Sequence, residues 1–445
     1  MNDDLGSLSG KRVIILGLGK SGMAAARLCL RAGARVLGTD AAPREKLSPE
    51  LGGLGIELEL GGHAGVDFER ADLVVVSPGV PAFAALERAQ QAGVEVIGEL
   101  DLACRYLDAP VVAIGGTNGK STTTTLVGEI LAAGGRRAFV GGNLGTPCAE
   151  AVGRDWDAVV LEVSSFQLER APLFRPRVSV LLNVTEDHLD RYTSFSAYAD
   201  AKGNAFVNQE LDDTAIVPFG DVICEEQARR GRGQILSFGA AGDYAVDAGE
   251  VVEARSGERF ELARARLYGA HNHANAAAAI AAVRALDVEL SAVHGGLASF
   301  QPLPHRMALC GERGGVRFYD DSKGTNVGAA VTALLGLSEP KGVLIAGGRD
   351  KHGSYAPLVE ALRERGRAAV LIGEAAPRIF DAVGGAVPVE HAESMDDAVR
   401  RAFRLAKAGD AVLLSPACSS FDMFKSYADR GERFCAAVQA LEESR

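Results

Sequence analysis

The sequence predicts an α/β protein of three domains, each built around a parallel sheet. Two patterns and one interruption predict it. Short apolar runs alternate with helical patterns along the chain, as strands and crossover helices do. Two glycine-rich loops each follow an apolar run and open a helical pattern. Near residue 302 the two prolines of Gln301-Pro302-Leu303-Pro304-His305 break the alternation, which resumes beyond them.

The first unit, residues 1–98, opens on the apolar run Arg12-Val13-Ile14-Ile15-Leu16. A helix is expected over 22–32, where Met23, Ala26, Arg27 and Leu30 recur at helical spacing. Arg35–Thr39 and Leu73–Val76 read as further strands. The second unit, residues 99–302, holds strands at Val111–Ile114, Val159–Val163 and Val178–Leu182, with a helix over Lys120–Ala133. Its alanine-rich stretch Asn275–Ala282 is a good helix former. The third unit, residues 303–445, repeats the alternation at Gly342–Ala346, Ala369–Ile372 and Ala411–Leu414.

Composition narrows the partners. A chain of 445 residues that is 47% hydrophobic can bury several cores. The net charge of −11 argues against nucleic acid, whose phosphates need a basic footprint. It leaves small anions open, since a helix end binds phosphate locally. No apolar run approaches the ~20 residues of a membrane span. The N-terminal MNDDLGSLSGKR is acidic and lacks the apolar core of a secretory signal. The seven scattered cysteines form no C-x-x-C pair and read as buried reduced thiols. A cytoplasmic protein is expected.

Gly17-Leu18-Gly19-Lys20-Ser21-Gly22 matches G-x-G-x-x-G between a strand and a helix, with Asp40 18 residues further on. That suits a dinucleotide, as in a dehydrogenase, or a bare tight turn. Gly115-Gly116-Thr117-Asn118-Gly119-Lys120-Ser121 is more specific, although isoleucine stands at 114 where the strict phosphate-loop pattern has glycine. Lys120 would meet the β/γ-phosphates and Ser121 would bind Mg²⁺. Glu162 ends a buried strand, where it suits Mg²⁺ or a cap for Ser164 or Ser165. Glu186, Asp187, His188 and Asp190 form either a ligand loop or a solvated acidic turn. Lys202, on a helical pattern, reads by itself as a surface lysine.

Several segments in order resemble the Mur ligases and their folylpolyglutamate synthase relatives. They are Gly116–Thr122, Glu162–Leu168, Asn183–Asp190, Tyr198 with Lys202, Gly269-Ala270-His271-Asn272 with Asn275, Leu303-Pro304-His305-Arg306 and Asp321–Asn326. The resemblance spans essentially the whole chain. Gly17-Leu18-Gly19 with Ser77-Pro78-Gly79, and Ser415–Lys425 with Arg430-Gly431, narrow it to the branch of the family that adds glutamate. The chain departs from the family pattern at Gly115, Ala308, Ala41, Ala42 and Phe421.

The resemblance implies Rossmann-like first and third domains around a central P-loop ATPase-like domain. It implies an ATP-dependent ligase that adds D-glutamate to UDP-N-acetylmuramoyl-L-alanine through an acyl phosphate, acting as a monomer in peptidoglycan precursor synthesis. The other readings are a Mur ligase with another amino acid and a NAD-linked dehydrogenase. ATP is implied at Gly116, Thr117, Asn118, Gly119, Lys120, Ser121, Thr122, Asn272, Arg306 and Asp321. Two Mg²⁺ ions are implied at Ser121, Glu162, His188 and a carbamylated Lys202. Lys120, Glu162, His188, Lys202 and Lys323 are implied to serve catalysis. The UDP-sugar is implied at Gly19, Lys20, Ser21, Asp40, Ser77, Asn143 and His188. Glutamate is implied at Thr325, Lys351, Ser420 and Phe421, although Thr325 and Ser420 singly suit helix caps.

Overall fold

Apolar runs too short for helices pair into three sheets in a computed structural model. It describes residues 7–441 apart from 144, 189–190, 266, 268 and 351–352. The first sheet holds β1 (Arg12–Leu16), β2 (Arg35–Asp40), β3 (Glu57–Leu60), β4 (Leu73–Val76) and β5 (Glu95–Gly98). They lie parallel in the order β3-β2-β1-β4-β5. The strand order reverses beside β1, so its carboxyl end faces a crevice.

The second sheet contains β6 (Val111–Gly115), β7 (Ala138–Gly142), β8 (Ala158–Glu162), β9 (Val178–Leu181), β10 (Thr214–Pro218) and β11 (Gln234–Gly239). It continues through β12 (Tyr244–Asp247), β13 (Glu250–Glu253) and β14 (Arg259–Glu261). Its order is β14-β13-β12-β11-β10-β9-β6-β8-β7, and β12–β14 pair antiparallel. The third sheet holds β15 (Ala308–Arg313), β16 (Val316–Asp320), β17 (Gly342–Gly347), β18 (Gly366–Ile372), β19 (Val389–His391) and β20 (Ala411–Leu414). Its order is β15-β16-β20-β17-β18-β19, parallel except for the edge strand β15. The antiparallel additions carry few continuous apolar residues, so alternation alone did not predict them.

The first two sheets share one core. Val13, Ile15, Leu28 and Val75 pack in the same cluster as Ala113, Cys148, Val159 and Leu161. Arg31 Nη1 donates to Val152 O at 3.1 Å, and Glu99 accepts from Ala149 N at 2.6 Å. In the central domain the helix Ala270–Arg284 is buried from Ala276 to Val283. Its alanines let it approach the helix Lys120–Ala133 closely, both lying in one core.

One expectation is corrected. Cys310 and Cys435 are not reduced thiols but a disulfide, with Cα atoms 5.3 Å apart. The packing of β15 against the last helix, Tyr427–Gln439, brings together residues 125 apart in sequence, which spacing cannot show. The other five cysteines are free. Among the described residues no helix is long and apolar enough to cross a membrane.

Candidate functional site

The buried strand β6 delivers its chain end to the phosphate loop. Gly116 (φ 138°) and Gly119 (φ 86°) adopt backbone that side chains resist. A Cβ on Gly119 would also collide with Asn275. Asn183, just past β9, fixes the loop from below: its Oδ1 accepts from Asn118 N at 2.9 Å and its Nδ2 donates to Asn118 O at 3.1 Å. Thr117 Oγ1 donates to Thr185 O at 3.2 Å and meets Tyr198 OH at 3.2 Å. The helix Lys120–Ala133 thus presents its N-terminal amides to the cleft, a ready anion site. Lys120 folds over the loop, its Nζ donating to Gly116 O and Thr117 O at 3.0 and 2.8 Å. Burial pushes its pKa down, and the Glu162 carboxylate opposes that shift.

Sheet register sets Glu162 beside the loop, since Ile114 pairs with Glu162. The carboxylate is 4% exposed and accepts from Ser121 Oγ and Asn143 Nδ2, both at 2.6 Å. It does not cap Ser164, which forms a capping box with Gln167. Arg306, carried in by the third domain, donates from Nη2 to Ser121 Oγ at 2.6 Å. Ser121 and Glu162 are hard oxygen donors and fit Mg²⁺. Lys202 is 4% exposed, not a surface residue. Its Nζ donates to Gly116 O at 2.8 Å and lies 4.4 Å from the Tyr198 ring centre. Burial, and then the nearby Lys120 charge, hold its pKa well below the lysine range. An ammonium there does not suit a cation site; a carbamate would. His188 (φ 55°) has its ring 4.9 Å from Phe166 and 6.3 Å from Tyr198.

A narrow cleft joins residues the sequence holds far apart. Asn118, Gly119 and Thr122 line it from the loop, Asn272 from the alanine-rich helix, and Arg306, Asp321 and Lys323 from the third domain. Burial raises Asp321 to about 7, although Ser415 Oγ donates to it at 2.7 Å. Lys323 Nζ lies 4.0 Å from the Tyr427 ring centre. Asn326 clamps the domains together, its Nδ2 donating to Asn118 Oδ1 at 3.2 Å and Asp187 Oδ2 at 2.9 Å. Sequence reasoning assigned no role to Asn183, Asn275, Asn326 or His271. All four stood inside quoted motifs, and His271 lines the cleft with no hydrogen-bond partner for Nδ1 among the described residues.

A second cavity, of about 460 Å³, lies between Thr185–His188 and the start of the helix Val327–Leu335. Asp350, Tyr355 and Ala417 also line it. Lys351 follows Asp350 in sequence but lies outside the described residues, as do Leu189 and Asp190. Thr325 precedes Asn326, which both lines the cavity and caps that helix. Ser420 is 2% exposed, its carbonyl accepting from Phe424 N at 2.9 Å, whereas Phe421 is 64% exposed. The structure therefore brings neither of these two to the cavity lining.

At the first crevice Gly17 has φ 87°, and a Cβ on Gly22 would strike Gly17 O. Ser77 Oγ donates to that same carbonyl at 2.8 Å. Asp40 accepts from Leu18 N at 2.7 Å and from Ala42 N at 2.8 Å. Oδ2 thus holds the glycine loop and Oδ1 its own turn, which weakens the ribose role a dehydrogenase needs. Gly19 precedes the helix Lys20–Arg31, leaving Lys20 and Ser21 in its first turn at the crevice.

Three α/β domains, a glycine-rich loop beside an acidic strand end, and an arginine that reaches that loop from the third domain define a multidomain α/β protein with a cleft lined by two domains. The chain belongs to the Mur ligase family. Family models match as the MurD-like N-terminal domain over residues 11–98, the Mur ligase middle domain over 114–283, and the glutamate ligase domain over 305–418. The chain is 46% identical to the UDP-N-acetylmuramoylalanine--D-glutamate ligase of Geobacter metallireducens, covering 98% of both chains. It is 45% identical to the Syntrophotalea carbinolica ligase of the same name, again over 98% of each. Its fold is that of a pseudomurein peptide ligase type C from Methanothermus fervidus (TM-score 0.63, 18% identity, 97% of this chain and 100% of that). It matches the MurF ligase of Thermotoga maritima, solved with ADP, similarly (TM-score 0.62, 19% identity, 99% of each).

Proposed function

We propose that this chain uses ATP to join D-glutamate to the carboxylate of UDP-N-acetylmuramoyl-L-alanine, in peptidoglycan precursor synthesis. The observation that carries the chemistry is the Ser121–Glu162 pair at a phosphate loop, with the cations Lys120 and Arg306 beside it. The named relatives, alike over nearly their full length, supply the substrates. A carboxylate is a poor acyl donor, and transfer of the γ-phosphoryl group makes it an acyl phosphate that the glutamate amine attacks. Two anions must meet for this, so oriented cations in a dry cleft contribute most.

In this reading residues 1–98 hold the UDP-sugar, with Gly19, Lys20, Ser21 and Ser77 at the crevice and Asp40 fixing the loop. Residues 99–302 hold ATP, and residues 303–445 supply glutamate contacts. Lys120 leaves its loop carbonyls for the β/γ-phosphates. Bound Mg²⁺, held by Ser121 and Glu162, would neutralise phosphate charge; His188 and a carbamylated Lys202 would supply the donors for a second ion. Arg306, Asn272 and Asp321 face the nucleotide, and Lys323 the transferring phosphate. Asn143 turns Glu162 and reaches toward the sugar-peptide. Thr325, Lys351, Ser420 and Phe421 are proposed for glutamate. For Ser420 and Phe421 that role requires the third domain to move. The protein works as a cytoplasmic monomer. Phosphate release is the test, with UDP-N-acetylmuramoyl-L-alanine, ATP and a panel of amino acids of both hands. Turnover restricted to D-glutamate is expected, and turnover with another amino acid in its place would reject the assignment.

A further inference from the structure

The disulfide between Cys310 and Cys435 has no part in the proposed ligation, yet it abuts the candidate site. Both cysteines are partly exposed. Cys435 Sγ lies 3.9 Å from Asp320 Oδ2, and the Asp320 side chain is buried. The same oxygen meets His305 Nδ1 at 2.6 Å. His305 precedes Arg306, whose guanidinium rests on Ser121. The other Asp320 oxygen accepts from Ser322 N at 2.9 Å, holding the turn that leads to Lys323. Arg430, on the helix that carries Cys435, donates to Ser322 Oγ and Ser322 O. One buried carboxylate and one helix thus connect the sulfur pair to two cations of the nucleotide cleft.

We propose that Cys310 and Cys435 form a reversible disulfide, a modification site that controls how tightly Arg306 is pinned on Ser121 and so how well the cleft takes a magnesium nucleotide. Its consequence for turnover rests on the proposed ligation; its chemistry does not. One cysteine thiolate attacks a small-molecule disulfide and expels one thiol. The second cysteine then attacks the mixed disulfide and expels the other, so two electrons and two protons leave the protein with the small thiols. In the disulfide neither sulfur carries a proton, and His305 holds Asp320 Oδ2 without competition from Cys435. Reduction gives Cys435 an S–H donor beside that oxygen. His305 is then held less firmly, and Arg306 yields Ser121 and Glu162 to the metal more readily. In the cytoplasm proposed above, a disulfide is of the transient, sensing kind.

The test uses full-length protein, reduced, freed of reductant, and then exposed to glutathione disulfide. Under denaturing conditions the reduced chain should titrate seven thiols and the oxidised chain five. Peptide mapping should place the loss at 310 and 435. Calorimetry with a magnesium complex of a non-hydrolysable ATP analogue should show Kd about two- to tenfold higher after oxidation, the range spanned by one hydrogen bond's net worth. The Cys310→Ser/Cys435→Ser protein can form neither the bridge nor a mixed disulfide at these positions, so its Kd should not change on oxidation. Seven thiols after oxidation, loss at other cysteines, stoichiometric zinc on the isolated protein, or equal Kd in both states would overturn the proposal. A redox-dependent Kd in a protein with no ligase turnover would instead strike the proposed function alone.

Discussion

Replacing Lys202 with methionine separates folding from chemistry. The ammonium is buried and makes one hydrogen bond to Gly116 O at 2.8 Å. A hydrogen bond to a charged group is worth about 1.5–3 kcal/mol net. Its loss leaves no orphan, because Lys120 Nζ also donates to Gly116 O at 3.0 Å. Against that loss stands relief of a desolvated charge, the first cause of the lowered pKa and a cost of several kcal/mol per buried ion. The two effects oppose, so Lys202→Met should move stability by no more than about 2 kcal/mol, or a few degrees in Tm. Activity should respond differently. Burial that lowers the pKa favours the neutral amine, the form that reacts with carbon dioxide, and the resulting carbamate would convert a cation into an oxygen donor for Mg²⁺. Losing that donor should cut kcat by about 10²-fold. Ligase rate and Tm are measured on both proteins, with ¹³C NMR in labelled bicarbonate to detect the carbamate. Acetate or formate should partly restore the variant by filling the vacated oxygen sites. A folded variant with near-native kcat, or native protein without a carbamate signal, would refute the reasoning.

Three further outcomes follow from the site. Lys120→Ala should fold, because among the described residues its ammonium hydrogen-bonds only its own loop carbonyls, yet lose about 10²-fold or more in kcat; ordinary turnover in that protein would remove the phosphate-loop assignment. Lys351→Ala should raise KM for glutamate far more than KM for ATP, by the roughly 2–5 kcal/mol of a lost desolvated charge pair; equal rises would point to a structural role. Asp321 has its folded pKa raised from 3.8 to about 7 by burial. Its contribution to stability is therefore fully present below the unfolded value and lost as pH rises through about 7. Asp321→Asn stays neutral, so its Tm should gain on the native protein between about pH 4 and pH 8; parallel Tm curves would show that Asp321 is ionised throughout.

Much of the architecture could be read from the chain because its signals are local. β1, β4 and β20 and the helix Lys120–Ala133 fall where the apolar runs and the glycine loop predict them. A strand buried on both faces must be apolar throughout, and a tight strand-to-helix turn must be glycine-rich. The edge strand β15 and the β12–β14 excursion escaped notice because half-exposed strands with mixed residues carry little period-2 contrast.

The site divides in the same way. Sequence by itself determined the glycine-rich strand-to-helix loop, the acidic strand end at Glu162 and the motifs that mark the family, since each of these lies within a few consecutive residues. Only tertiary structure decided that Lys202 is buried on Gly116 O, and that Arg306 reaches across a domain boundary to Ser121. It also decided that Asp40 spends one carboxylate oxygen on the glycine loop and the other on its own turn, and that Cys310 meets Cys435. Burial and pairing between distant residues depend on how sheets and helices pack, and packing leaves no trace in the spacing of any one segment.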